Sequence, residues 1–411
     1  MNINRKLKEL AKVIVKKGVV LAEGEILVIQ ASVEAAYFSR IVAETAFEEG
    51  ASEVYTEWFD DEMDKLRYKN ESIESLTKTY PWSGRTLLEY AKKGCCFVKI
   101  NTPDPDVFSE ISASIISENF KAKRKIDEET NSMKMNGTCK WTSLAIPSKK
   151  WAEKVSPELD ENEAFEKLWD MFFDICRIDE TNSVENWDIH TQNLTGKANY
   201  LTAKKLIKLY FKNDIGTDLV VELAKNHLWV GGTLPSKSGI SFVPNIPTEE
   251  VATAPYKTGA DGVLVSTKPL CHNGQLIDKF KLVFKNGKVV DFEAEVGYEH
   301  LKHIIETDEN SCYLGEVALV PFDSPISNKN ILFYNTLFDE NASCHFALGR
   351  GYPVVIKNNS IMTDEEIAET GLNISSLIHV DFMVGSKDLD VIGYDENNNA
   401  IQIFKNGNWA F

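Results

Sequence analysis

Long apolar runs are missing from this 411-residue chain, and so are the short motifs that most often announce a reaction. No stretch approaches the ~20 apolar residues of a membrane-spanning helix. No G-x-G-x-x-G follows a candidate strand and no G-x-x-x-x-G-K-[ST] occurs, which argues against a nucleotide site. The G-x-S-x-G elbow of serine hydrolases and the H-E-x-x-H signature of single-zinc proteases are also missing. The seven cysteines contain no C-x-x-C pair. An odd, scattered set implies reduced thiols and a cytoplasmic protein. Basic residues are in deficit, with 45 Lys and Arg against 62 Asp and Glu, a formal net charge of -17. Such a chain repels phosphate backbones and anionic membranes, so neither nucleic acid nor a membrane is an expected partner. The same field suits divalent metals and free amino groups.

With 43% hydrophobic and 26% charged residues the composition is that of a soluble globular protein. The length predicts two domains. The basic, amphipathic N-terminus carries Leu7, Leu10, Ala11 and Ile14 at helical spacing. It contains Glu9 and lacks a small-residue cleavage site, so it reads as a first helix rather than a targeting peptide. Apolar strands follow at 25–30, 53–58, 95–100 and 141–146. Helices are predicted near 34–49, 60–77, 83–93, 106–135 and 160–177. Strands alternating with helices predict a parallel sheet covered on both faces. Residues 1–195 therefore read as a Rossmann-like α/β domain.

Beyond residue 196 short alternating strands dominate, and Asn-Gly pairs at 286–287 and 406–407 mark tight hairpins. Residues 196–411 read as a mainly antiparallel β domain that carries the catalytic chemistry. In SLIHVDFMVGS, His379 and Asp381 fall on one face of a strand by period two. Two polar groups on an apolar strand require a metal or a hydrogen-bond network. FDENASCHFALGRGY sets Asp339, Glu340, His345 and Tyr352 ahead of or around Gly349 and Gly351; a short helix is expected to hold His345. Glu316 lies in the apolar run GEVALVPF, where a lone carboxylate needs a partner. Glu249 and Glu250, in NIPTEEVATAP, fit either an extended segment or a helix start. His300 and His303 lie at i, i+3 on a charged helix and read as solvated; His190, His227 and His272 have no carboxylates around them. The carboxylates Glu250, Glu316 and Asp381 with the imidazoles His345 and His379 make a mixed N/O set. Such a set suits two zinc, cobalt or manganese ions that activate a water for amide hydrolysis.

Four stretches, NIPTEEVATAP, GEVALVP, LFDENASCHFALGRGY and SLIHVDFMVGS, occur in an order and spacing that resembles the aminopeptidase S / aminopeptidase T / PepS family of metallo-aminopeptidases. The resemblance implies a dimeric cytosolic exopeptidase with two divalent ions in its C-terminal domain. It implies the ligands Glu250, Glu316, His345, Tyr352, His379 and Asp381. Tyr352 enters the ligand set only in this way; from the residues alone it is a proton donor or a stabiliser of an oxyanion. Substrates are then short peptides with a free N-terminus, and Glu249 and Glu340 are the carboxylates left to move a proton. Two other classes fit the same residues: a metal-dependent hydrolase of another bond such as a phosphoester, and a binding protein whose His and carboxylates form only a buried network.

Overall fold

The computed structural model describes residues 3–80, 82–272 and 274–411. It is a mixed α/β structure with one parallel sheet and several antiparallel ones. The chain forms two compact units, residues 1–190 with 233–247, and residues 191–232 with 248–411.

In the first unit the N-terminal helix Ile3–Val13 buries Leu7, Leu10 and Ala11, the face its apolar spacing predicts. The sheet is built from β1 (Ile26–Ser32), β2 (Glu53–Phe59), β3 (Cys96–Asn101), β4 (Trp141–Ala145) and β5 (Asn245–Ile246). Its order is β5-β4-β3-β1-β2 and every pair is parallel. The first four strands fall where the apolar runs predict them. The fifth does not follow from sequence: two residues after a Pro carry no strand pattern, and β5 exists because the chain returns to β4 from about a hundred residues away. The predicted helix at 60–77 is broken into Asp61–Asn70 and Ile73–Thr77, where Asp60 and Ser72 each cap a new start. The helix Ser183–Ala203, in which the chain leaves the first unit, was not expected. Its Thr, Asn and Gly residues weaken the helical signal.

The second unit holds two antiparallel sheets. The larger has nine strands, among them Leu206–Lys212, Asp218–Leu223, Pro255–Val265, Gln275–Lys285 and Asp390–Asp395. Both Asn-Gly pairs sit at its predicted tight turns, with Asn286 at φ 50 and Gly287 at φ 79, and Asn406 at φ 51 and Gly407 at φ 73. A Cβ on Gly287 would come within 1.9 Å of the Lys257 carbonyl oxygen, so only glycine fits there. The smaller sheet runs β9-β8-β7-β6 and ends on the short strand Val230–Gly231, where β6 is Val251–Thr253, β7 Leu314–Leu319, β8 His345–Gly349 and β9 His379–Met383. Its apolar face packs on the larger sheet. Val251, Val317, Leu319, Phe346, Leu348, Val380 and Phe382 share one core with Leu209, Phe211, Leu219, Val221 and Leu282. The Phe211 and Phe346 rings meet at 5.0 Å between centroids. Burying one face so thoroughly fixes the register and commits every alternate residue to the other face. Among the described residues no helix is long and apolar enough to cross a membrane.

Candidate metal centre

The face of the smaller sheet turned away from that core carries the chemistry. Register sets Ala318 opposite His345, Glu316 opposite Ala347, Ala347 opposite Asp381, and Gly349 opposite His379. Long polar side chains therefore alternate with alanine and glycine, which leave room between them. His345 is the first residue of a buried strand, not part of a short helix as its two downstream glycines suggest. Gly349 ends that strand at φ +96, and a Cβ there would meet the Ile378 carbonyl oxygen at 2.3 Å. Its role is close approach of two backbones rather than helix termination. Glu249 and Glu250 start no helix; they lead in extended form into β6.

Glu250 and His345 meet at 3.1 Å, Oε2 to Nε2. His379 Nε2 lies 3.3 Å from Asp381 Oδ1 and 3.6 Å from Glu316 Oε2. Glu250, Glu316 and His345 can each turn one ligand atom to within 4.8 Å of the others. Glu340 is buried close enough to Asp381 for the two carboxyls to feel each other's charge. The Tyr352 ring lies against His379, 4.5 Å between centroids. Glu249 is buried, and its backbone amide donates to Asn341 Oδ1 at 2.7 Å.

Both imidazoles are oriented from behind. His345 Nδ1 donates to the Ser343 carbonyl at 3.0 Å and His379 Nδ1 to the Arg350 carbonyl at 2.6 Å. A carbonyl can only accept, so the proton sits on Nδ1 and the neutral ring directs the Nε2 lone pair at the carboxylates. Acceptor then faces acceptor. Asp381 Oδ1 is buried with no hydrogen-bond partner. Without a cation these groups can only take up protons. Burial, with Glu250 next, pushes Glu316 up to about 8. Burial also raises Glu340 well above the carboxylate range, with the Asp381 charge adding to it. Burial alone would lower His379, but Asp381 and Glu316 hold it at about 9. Asp381 is lowered: the His379 charge overcomes the upward push of burial. Four carboxyls and two imidazoles clustered on one sheet face are a donor set short of positive charge, and a divalent cation satisfies it.

Other candidates take different places. Asp339 accepts the amides of Phe333 at 2.8 Å and Asn335 at 3.1 Å, so it ties its own loop. Burial still raises it to about 7. His300 is not a freely solvated residue. Its Nε2 lies 3.1 Å from His272 Nδ1, and burial drives His272 down to about 3. Sequence reasoning missed Asn373, which is buried and donates to the carbonyls of Gly349 at 2.6 Å and Asn310 at 2.9 Å. Its own carbonyl accepts the Gly351 amide at 2.7 Å. Asn373 thus braces the turn from which Arg350 orients His379. An asparagine in the segment GLNIS carries no local signal of that task.

A family model described as thermophilic metalloprotease (M29) matches residues 3–409. Aminopeptidase 2 of Geobacillus stearothermophilus is 42% identical over 413 aligned positions, covering 100% of this chain and 99% of that protein. Aminopeptidase AmpS of Bacillus subtilis (strain 168) is also 42% identical and is covered in full, as is this chain. The solved structure of wild-type AmpT from Thermus thermophilus superposes with a TM-score of 0.91 at 33% identity, covering 100% of both chains.

Proposed function

Because the chain belongs to the M29 family of metalloproteases and is a metallo-aminopeptidase, a hydrolase, we propose that it removes N-terminal residues from short peptides with a free α-amino group. The reading includes two divalent ions per chain (zinc, cobalt or manganese) in the C-terminal domain. One observation carries it: two imidazoles whose Nδ1 protons are committed to carbonyls turn Nε2 onto Glu250, Glu316 and Asp381. Those five residues would hold the ions, with Tyr352 as a sixth ligand. Once bound, the ions polarise the scissile carbonyl and make a water nucleophilic at neutral pH.

The chain's own groups do the rest. The Ser343 and Arg350 carbonyls keep each imidazole in one tautomer and one plane. The cluster of carboxylates favours a substrate's positively charged terminus over a blocked one. Glu340, buried beside Asp381 with its pKa raised by that burial, can store a proton and give it to the departing amine. Glu249, bonded through its amide to the residue after Glu340, is the second candidate for that transfer. Tyr352, whose ring lies tilted against His379, is the group that would donate to an oxyanion where it is not a ligand.

The all-parallel order β2-β1-β3-β4-β5 is that of flavodoxin-like doubly wound folds and supports a Rossmann-like first domain, here without a Gly-rich phosphate loop. Division of the chain into residues 1–195 and a catalytic domain at 196–411 is likewise a proposal, with the segment 233–247 counted in the first unit. A homodimer comes from the family resemblance, and a cytoplasmic location from the seven free thiols.

The test compares a free-amine peptide, its N-acetylated form and an aryl phosphate. Release of the N-terminal residue is expected from the first alone, abolished by a chelator and restored by divalent ions. Full activity of metal-free protein would sink the two-ion reading. Equal cleavage of the acetylated peptide would sink the exopeptidase, and preference for the aryl phosphate would move the site to phosphoester chemistry.

A further inference from the structure

Outside the metal centre, two thiols of the first unit share one small core. Phe97 of β3 stands opposite Trp141 of β4 in the parallel register. Cys95 and Cys139 lie just ahead of these two strands, in the turns that lead into them. Both belong to the small core formed with Val28, Leu87, Ala91 and Phe97. Cys139 Sγ donates to the Ala91 carbonyl at 3.4 Å, and the Cys95 amide donates to the adjacent Tyr90 carbonyl at 3.4 Å, so both cysteines reach the same helix end. Neighbouring strands run ~4.8 Å apart, inside the ~4.4–6.8 Å that a disulfide bridges between Cα atoms. Both residues are buried, yet each follows a residue that is not: Gly94 is exposed and Thr138 is half-buried. They therefore lie just under the surface in the turns ahead of two strands, where local opening needs the least energy. Cys95, with the Lys134 ammonium, holds the Cys139 thiol below its ordinary value. The intervening Cys96 points to the other side, its Sγ 3.4 Å from Glu25 Oε2, and burial pushes it up.

We propose that Cys95 and Cys139 are a paired oxidation site that hydrogen peroxide converts reversibly into a disulfide. The Cys139 thiolate attacks the peroxide: an S–O bond forms, the O–O bond breaks, and the leaving oxygen departs as water after taking a proton. The Cys95 sulfur then attacks the sulfenic acid: the S–S bond forms, the S–O bond breaks, and a second water leaves with the Cys95 proton. Two thiols are oxidised and one peroxide is reduced. A small-molecule thiol reverses the change by exchange.

The full-length protein is treated with hydrogen peroxide under native conditions, alkylated, denatured and assayed for thiols. The count is expected to fall from seven to five, and dithiothreitol to restore it. A digest kept free of reductant should contain one cross-linked pair, joining Cys95 to Cys139. Cys95→Ala and Cys139→Ala should each abolish it, and Cys96→Ala should leave it intact. If either alanine variant fails to fold, the wild-type digest and Cys96→Ala still decide the matter. An unchanged count of seven overturns the proposal. So does a cross-link through Cys96, sulfinic acid at Cys139 without a cross-link, or a cross-link that forms only once the circular-dichroism signal of the fold is lost.

Discussion

The parallel sheet of the first unit and the smaller antiparallel sheet of the second both set polar side chains across one face, and they satisfy them in opposite ways. On the parallel sheet Glu57, Gln30, Lys99 and Ser143 form a row across four strands. There donors meet acceptors: Gln30 Nε2 donates to Glu57 Oε2 at 2.8 Å, and Lys134 Nζ to Gln30 Oε1 at 3.0 Å. On the antiparallel sheet the row holds Glu316, His345, His379 and Asp381, with Glu250 at its end, and acceptors meet acceptors. Small residues also separate the second row and not the first. A polar row with matched donors is part of the scaffold. A row with surplus negative charge and space between its members is a cation site.

Four substitutions break or sharpen that contrast. Glu340→Gln removes the proton-carrying carboxyl but keeps its shape. We expect kcat to fall by ~10²–10⁴-fold with metal content unchanged by elemental analysis; wild-type kcat would take Glu340 out of the reaction. Glu316→Gln removes a charge from the row itself. Metal affinity should fall by ~10–100-fold or more, and the rate with it; unchanged affinity and rate would remove Glu316 from the site. Asn373→Ala cuts the brace behind Arg350. We expect ~1–3 kcal/mol less stability in a denaturant titration, accompanied by weaker metal binding. If stability drops and affinity holds, Asn373 ties the loop without orienting His379. Gln30→Leu tests the matched row, where about 1 kcal/mol of stability should be lost and metal binding should not change. Any loss of metal there would end the distinction between the two sheets.

Much of this was legible from the chain. β1 to β4 and both Asn-Gly turns are local features, and the residues that form them also predict them. His379 and Asp381 share a face because a strand alternates, whatever it packs against. What could not be read is pairing at long range. Nothing near Glu316 says that Ala347 will lie opposite it, or that Glu250 will reach His345. That assembly was suggested by four motifs taken together, not by any one of them. Gly349 misled, because close approach to Ile378 and helix termination leave the same residue in the sequence. Glu340 and Asp339 are neighbours of equal chemistry, yet one is buried beside Asp381 in the site and the other accepts the amides of its own loop. Only the turn of a short helix, Thr336–Glu340, separates their tasks.

The account depends most on the claim that the antiparallel row is short of positive charge. Titration of the metal-stripped, full-length protein with a divalent ion, counting ions bound per chain while release of the N-terminal residue is followed, tests it directly. The account predicts two ions per chain, with activity returning as they bind. A stripped chain that binds no ion, or that cleaves at full rate without one, would contradict it.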